Sequence, residues 1–454
     1  MDSGGKHRFF STATVVAVFV LLFLAFILTG KESTAQNQRP SLRDPYAHSY
    51  ILFPYTPGEE YQKPAPLLTV AEEGIRCLQP LLSGWESTGR QEPVLPDYLI
   101  AEAEAAAAKI LSHGGSVVFP FITDAHCGYY TDPENTAVAL LGQLLNQIGT
   151  RVPYTFVANG GDFSTGAWNT TRELTFSHVD AYEALVSLSD ESVPYVWAIG
   201  NHDDAPYQET QYRLTQQDTY SMIGERNIRN GLRCPEGCNY GYLDLEDQKL
   251  RVIVLDTDDK REWGTLQVGA GQPGPDYLNA HNISGAQLAW LADTALNFRE
   301  KDDPGQWSII VISHVPLNVS GWYSDVTGGA GGVHSTANAA SILRAYKRGT
   351  SGSLTHNGIR VNYDFSGEDD RAEIICMIHG HLHQFTSQQI NGILSIGCPN
   401  AMDGREKRSI DGIVYAKTSE TADATSFCIL TVDTENRKIY ADAVGAGFDR
   451  EFSY

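Results

Sequence analysis

Positive charge is what this sequence has least of. Its 454 residues carry 33 Lys and Arg against 55 Asp and Glu, a formal net charge of −22. So acidic a molecule repels polyanions, and the lack of a basic track speaks against a protein that follows nucleic-acid phosphates, a duplex nuclease included. Chemistry on a phosphate would need a locally positive site. Cysteine is sparse and odd in number, seven in all, so in an oxidising compartment at least one stays outside any intrachain pair. Cys234 and Cys238, in Cys-Pro-Glu-Gly-Cys, could close a small loop disulfide. Without two further pairs of similar spacing they make a poor zinc ribbon, and Cys376, Cys398 and Cys428 read as apolar strand filling. There is no internal repeat. Neither a Cys-x5-Arg motif nor a phosphate-cradling P-loop occurs, because the glycine-rich Thr327-Gly-Gly-Ala-Gly-Gly lacks the following lysine and reads as a flexible loop. With 42% apolar and 19% charged residues, fibrous, collagen-like and wholly disordered classes are excluded.

Charge is missing altogether between Arg8 and Lys31. The 22 uncharged positions, 9–30, are enough at about 1.5 Å per residue to span a bilayer as a helix. Lys6 and Arg8 precede them, so residues 1–8 are expected to stay cytosolic and everything after Lys31 to be exported, as in a type II signal anchor. The alternative is a cleaved signal peptide, for which Ser33-Thr-Ala35 supplies small residues before a cut after Ala35. The protein is thus expected to be a single-pass membrane protein with an extracytosolic catalytic domain, or secreted. Sequons at Asn169, Asn282 and Asn318 are compatible with export, but chance alone would give about two.

Residues 31–95 are polar and proline-rich and read as a stalk or wrap. Residues 96–454 read as one domain in which strands and helices alternate. Strands are expected at Ser116 to Thr123, Tyr154 to Ala158, Tyr195 to Ile199, Arg251 to Leu255, Trp307 to Ser313, Ile374 to Ile378, Ser426 to Val432 and Lys438 to Val444. Helices are expected at Tyr98 to Ser112, Glu134 to Ile148, Arg172 to Ser187 and Gly285 to Asn297, the last capped by Ser284. Such alternation predicts an α/β sandwich or doubly wound sheet with its active groups beyond the strand C-terminal ends.

At those ends stand Asp124-Ala-His126, Gly161-Asp162, Gly200-Asn201-His202-Asp203, His314 and Gly380-His381-Leu-His383. Singly each is weak, since a lone strand-end histidine is usually a hydrogen-bonded loop residue. Five in order at five strand ends are not a coincidence. Here the sequence resembles the calcineurin-like metallophosphoesterases, and the resemblance covers about Ser116 to Tyr454. It implies a βαβαβ sandwich with a dinuclear metal site: one ion on Asp124, His126 and His383, the other on Asn201, His314 and His381, and Asp162 bridging both. It also implies that His202 stabilises the transition state or protonates the leaving alkoxide, oriented by Asp203. Carboxylate and imidazole donors suit Zn, Mn or Fe, and a shared carboxylate holds such ions about 3.5 to 4 Å apart, where a bridging hydroxide forms near neutral pH. Thr165 stands where purple acid phosphatases carry a tyrosine, so no tyrosine-bound ferric site is expected.

The implied function is metal-dependent hydrolysis of phosphate mono- or diesters. The alternative is a non-catalytic adaptor that keeps the fold, although such members typically lose ligands that are all present here. A sphingomyelinase-like reading is disfavoured, because Cys77 is the one cysteine before Ser116 and leaves no saposin domain. Cys398-Pro-Asn400-Ala, Gly404-Arg405-Glu and Gly445-Ala-Gly-Phe-Asp-Arg450-Glu are similar to stretches in bacterial and phage-borne members. Specificity is expected from the loops Asp204 to Asn239 and Ser320 to Thr355, with Tyr129, Tyr130, Trp168, Trp322 and Tyr323 as candidate pocket aromatics.

Overall fold

The computed structural model describes residues 96–128, 135–166, 172–203, 214–259, 281–317, 335–356, 358–367, 370–402, 407–408, 414–415, 417–418 and 421–454. The apolar segment 9–30, the proline-rich segment 31–95, the five candidate pocket aromatics and the sequons at Asn169 and Asn318 lie outside them. Among the described residues, no helix is long and apolar enough to cross a membrane.

Strands β1 (Val117–Ile122), β2 (Val157–Asn159) and β3 (Tyr195–Trp197) run parallel to one another. Strands β4 (Gly241–Leu245), β5 (Leu250–Leu255) and β6 (Ser308–Ser313) follow, then the hairpin of β7 (Ser351–His356) and β8 (Ile359–Asp364). Next come β9 (Glu373–His379), β10 (Thr386–Ile390) and β11 (Ile393–Gly397), and the short pair β12 (Lys407–Arg408) and β13 (Val414–Tyr415). The chain closes with β14 (Ser426–Asp433), β15 (Lys438–Gly445) and β16 (Arg450–Ser453). One six-stranded sheet has the order β16-β15-β14-β1-β2-β3 and the other β10-β11-β9-β6-β5-β4. In the second sheet β5, β6, β9 and β11 are parallel.

The side-chain period of two explains why the sheets stack. Val117, Phe119 and Phe121 of β1 enter one apolar layer with Val252 and Val254 of β5 and Ile310 and Ile312 of β6. Cys376, Cys398 and Cys428 fill this same layer between the sheets, as expected for strand filling. The alternate residues face outward onto helices. Ile122 meets Leu99 of α1 (Asp97–Ser112), Leu141 of α2 (Thr136–Gly149) and Tyr182 of α3 (Arg172–Val186). On the far side Ile253 and Val311 meet Leu288 of α4 (Gly285–Trp290) and Leu343 of α5 (Ser335–Arg348). The fold is therefore an α/β sandwich of two sheets between helices, and its inner strands are near-continuous apolar runs because both faces are covered.

Several expectations shift. Helix α4 ends at Trp290 and continues as a wider turn over Leu291–Ala295, although Ser284 does cap it by accepting from the Gln287 N–H at 3.1 Å. The expected loops at Asp204 to Asn239 and Ser320 to Thr355 contain helical runs over Gln216–Arg229, helix α5 and most of β7. Cys234 and Cys238 are not bridged, and the Cys238 thiol donates to the Glu236 carbonyl at 3.4 Å. The Asn282 sequon is buried, its side-chain NH₂ donating to the Asp259 carbonyl at 2.7 Å and its Oδ1 accepting from His356 Nε2 at 3.1 Å, so no glycan fits there.

Candidate metal centre

Every expected site residue sits just past the C-terminal end of a parallel strand: Asp124 and His126 after β1, Asp162 after β2, Asn201, His202 and Asp203 after β3, His314 after β6, and His381 and His383 after β9. The chain must turn sharply at these ends to aim short side chains inward. Asp124, His126, Asp162, His381 and His383 all adopt positive φ, between 47° and 66°. Such left-handed backbone is disfavoured for residues with a Cβ and concentrates at functional sites. The flanking glycines permit the close approach. A Cβ on Gly200 would lie 2.1 Å from Asp162 Oδ1, and one on Gly380 would lie 1.9 Å from Thr123 Oγ1.

The donors converge in two groups. Asp124, His126, Asp162 and His383 each offer one ligand atom, all within 4.8 Å of one another. His383 Nε2 is 3.0 Å from Asp124 Oδ1 and 3.2 Å from His126 Nε2. On the other side of Asp162, His314 Nε2 is 3.1 Å from Asp162 Oδ2 and 3.0 Å from Asn201 Oδ1, and His381 Nδ1 is 3.1 Å from that same Asn201 oxygen. Asp162 thus belongs to both groups.

The electrostatics fit a cation. Burial opposes the charge on Asp162, but His314 and His202 beside it outweigh burial and hold its carboxyl well below the usual range. Asp124 is likewise lowered, His383 overcoming the effect of burial. Burial, with His202 nearby, pushes His126 well down, and burial with His281 nearby does the same to His381. His314 goes the other way: burial works against a proton, yet the Asp162 carboxylate pushes the imidazole up to about 9. Two buried carboxylates therefore draw a positive charge into the pocket. Dications in the same place would supply that charge and leave the imidazoles neutral, the form in which they bind metals. The residues present fit a pair of metal ions by donor type, burial and convergence.

Residues 119–385, more than half of the chain, match the calcineurin-like phosphoesterase family. The chain belongs to that family. It has the mixed α/β fold of that family. No curated protein sequence matches it. Among solved structures, a Staphylococcus aureus protein described as a 5′-nucleotidase in complex with alpha-ketoglutarate is 13% identical, with a TM-score of 0.36, over 74% of this chain and 54% of that one. NAD nucleotidase from Haemophilus influenzae is 13% identical, with a TM-score of 0.30, over 74% of this chain and 49% of the other. Phosphopantetheinyl hydrolase from Mycobacterium tuberculosis is 12% identical, with a TM-score of 0.28, over 63% of this chain and 91% of the other. The phosphoesterase spans about half the length of the two nucleotidases.

One role differs from what the family resemblance implied. Asp203 makes no hydrogen bond to the His202 ring among the described residues. Its Oδ2 accepts from the backbone N–H of Asp162 and of Gly200, both at 2.9 Å, and its Oδ1 from those of Phe163 at 2.8 Å and Ser164 at 3.0 Å. Asp203 is the clamp of the Asp162 turn. Burial, with the Asp162 carboxylate beside it, pushes its carboxyl up to about 7 against the pull of those N–H groups. The His202 ring is oriented instead by the Thr165 carbonyl, which lies 2.7 Å from Nδ1, while the His202 backbone N–H donates to Asp162 Oδ1 at 2.8 Å. Asp204 lies outside the described residues.

The sequence motifs gave two neighbours no role in the site. His281 stands edge-on to His381, ring centroids 4.8 Å apart, close to the run Asp256-Thr-Asp258-Asp259 that follows β5. That run obeys the same strand-end rule as the other motifs. Asn400, just past the end of the parallel strand β11, reaches His383, Nδ2 to Nδ1 at 3.4 Å.

Proposed function

We propose that this phosphoesterase hydrolyses phosphate mono- or diesters with two metal ions, Zn, Mn or Fe, held by Asp124, His126 and His383 on one side and Asn201, His314 and His381 on the other, with Asp162 shared. The observation that carries the proposal is the position of the Asp162 carboxylate within both donor groups. When bound, such ions ionise a water near neutral pH and neutralise the phosphoryl oxygens for in-line attack. The chain's own residues do the rest. His202, half-buried at the rim and fixed through Nδ1 by the Thr165 carbonyl, offers Nε2 to the substrate; a proton carried there is passed to the departing alkoxide. Asp203, through its four backbone hydrogen bonds, keeps Asp162 and His202 in register.

The uncharged run at 9–30 between Arg8 and Lys31 supports placing this reaction outside the cytosol, on a membrane anchor or after secretion. The full-length protein should turn over p-nitrophenyl phosphate or bis-p-nitrophenyl phosphate only with Mn²⁺ or Zn²⁺ present, and the preferred ester assigns mono- or diesterase. A folded, metal-loaded protein inactive on both would count against general phosphoester hydrolysis and favour a narrow substrate or the adaptor role.

A further inference from the structure

The turn after β11 is built as a platform under the first donor group. Its backbone is pinned from both sides: Cys398 N–H donates to the His379 carbonyl at 3.0 Å, Ala401 N–H to Thr123 at 2.9 Å and Met402 N–H to Asp124 at 3.1 Å. The Lys417 ammonium donates to the Asn400 carbonyl at 2.8 Å and also to that of Met402. At the centre stands Asn400, with no exposed surface, its amide 3.4 Å from His383 Nδ1.

As oriented, the Asn400 NH₂ faces the His383 ring, and its Oδ1, fully buried, meets no donor among the described residues. The oxygen and nitrogen of an amide are exchanged by a simple flip, and the hydrogen-bond network decides between them. His383 Nε2 faces Asp124 Oδ1 and His126 Nε2, so it is the ring nitrogen that would bind a metal and must be bare. Nδ1 then carries the proton and is a donor. Two donors facing each other make no bond, which matches the long 3.4 Å separation.

We infer that Asn400 presents its amide oxygen, not its NH₂, to His383 Nδ1–H and so fixes the tautomer and orientation of a metal-binding imidazole. Asn400 is a positioning residue that acts through His383. Outer partners of this kind raise ligand basicity, and their loss typically weakens metal binding by about 10- to 100-fold. The inference rests on the reading that His383 binds a metal through Nε2.

The test is Zn²⁺ affinity of the full-length protein, by competition with a chromophoric chelator, for the parent, Asn400→Leu and Asn400→Asp, with thermal melts of the metal-free forms as a check on folding. Asn400→Leu should bind about 10- to 100-fold more weakly, whereas Asn400→Asp, which keeps an acceptor, should match or exceed the parent. A packing role predicts the reverse order, since leucine is close in size to asparagine and a buried carboxylate is costly. Should the leucine variant not fold, the aspartate variant decides alone: affinity tenfold below the parent overturns the inference. A parent that binds no Zn²⁺ overturns the metal reading itself, which separates the two failures.

Discussion

The two sheets contribute to the site in different ways. From the ends of β1, β2 and β3 come both carboxylates of the donor cluster, Asp124 and Asp162, together with His126, Asn201 and His202. The loops carrying them are interlocked: Asp203 gathers four backbone N–H groups, and the His126 N–H donates to the Asp162 carbonyl at 2.9 Å. From the ends of β6 and β9 come three histidines and no ligand carboxylate. These lean on the first sheet, His314 Nδ1 lying 2.8 Å from the Gly160 carbonyl and the His381 N–H donating to Asp124 Oδ2 at 3.0 Å. The first sheet fixes the negative charge in a rigid frame, and the second supplies imidazole donors that find their place only when the sheets stack in register. A donor cluster divided in this way is assembled by the inter-sheet core.

The largest effect is expected where the frame of the first sheet is broken. Asp203→Leu strips the acceptor from four buried N–H groups, each worth about 1 to 3 kcal/mol when left unsatisfied, so a loss of at least about 4 kcal/mol in denaturant unfolding and loss of metal together are predicted. Asp203→Asn, which keeps one carbonyl oxygen, should fall between. Next comes His202→Ala, which touches the reaction and not the frame: kcat should fall by about 10²- to 10⁴-fold with metal content unchanged by elemental analysis. At the joint between the sheets, Gly380→Ala places a methyl 1.9 Å from Thr123 Oγ1. Overpacking of this kind costs about 1 to 3 kcal/mol, and because relief must move His381 away from Asp124, metal affinity should drop along with Tm. A mutant with lowered Tm but parental affinity would show that the histidine side does not depend on the first sheet.

The smallest effect sharpens the comparison from behind the first sheet. His178 of α3, its Nδ1 2.9 Å from Ser164 Oγ, has its imidazole pushed down to about 4 by burial. In the unfolded chain it titrates near 6.5. Its contribution is therefore fully present above pH 6.5 and fades as pH falls toward 4, because the unfolded state takes up a proton that the native ring refuses. At pH 5.5 this amounts to about 1.4 kcal/mol. His178→Gln should flatten that part of the stability profile between pH 4 and 6.5, which paired denaturant titrations would show.

The strands and the motifs at their ends were legible for one reason. β1, β5, β6 and β9 are buried on both faces and so are continuous apolar runs, and the residues that follow them are short motifs whose spacing the turn dictates. What the sequence reading missed is polar or depends on three dimensions. β7, mostly exposed, and β10 carry little apolar pattern. Yet each is joined to its partner through an Asn-Gly pair, 357–358 and 391–392, across which His356 pairs with Ile359 and Ile390 with Ile393. Asn391 and Gly392 both adopt positive φ, 55° and 80°, as a two-residue hairpin requires, so the dipeptide alone signals both turns. The family resemblance implied that Asp203 faces the His202 ring, but the turn at Gly200 sends its carboxylate back to the Asp162 backbone. Asn400 lies 17 residues from His383, and only the pairing of β11 with β9 brings them together.

The central claim is that one carboxylate, Asp162, serves two metal ions that hydrolyse phosphate esters. The most direct measurement is metal content and turnover of bis-p-nitrophenyl phosphate and p-nitrophenyl phosphate by the full-length protein beside Asp162→Asn and His202→Ala. The account predicts about two ions per chain in the parent and in His202→Ala, fewer in Asp162→Asn, and turnover lowered by about 10²- to 10⁴-fold in His202→Ala and lost in Asp162→Asn. Full metal content and parental turnover in Asp162→Asn would contradict it.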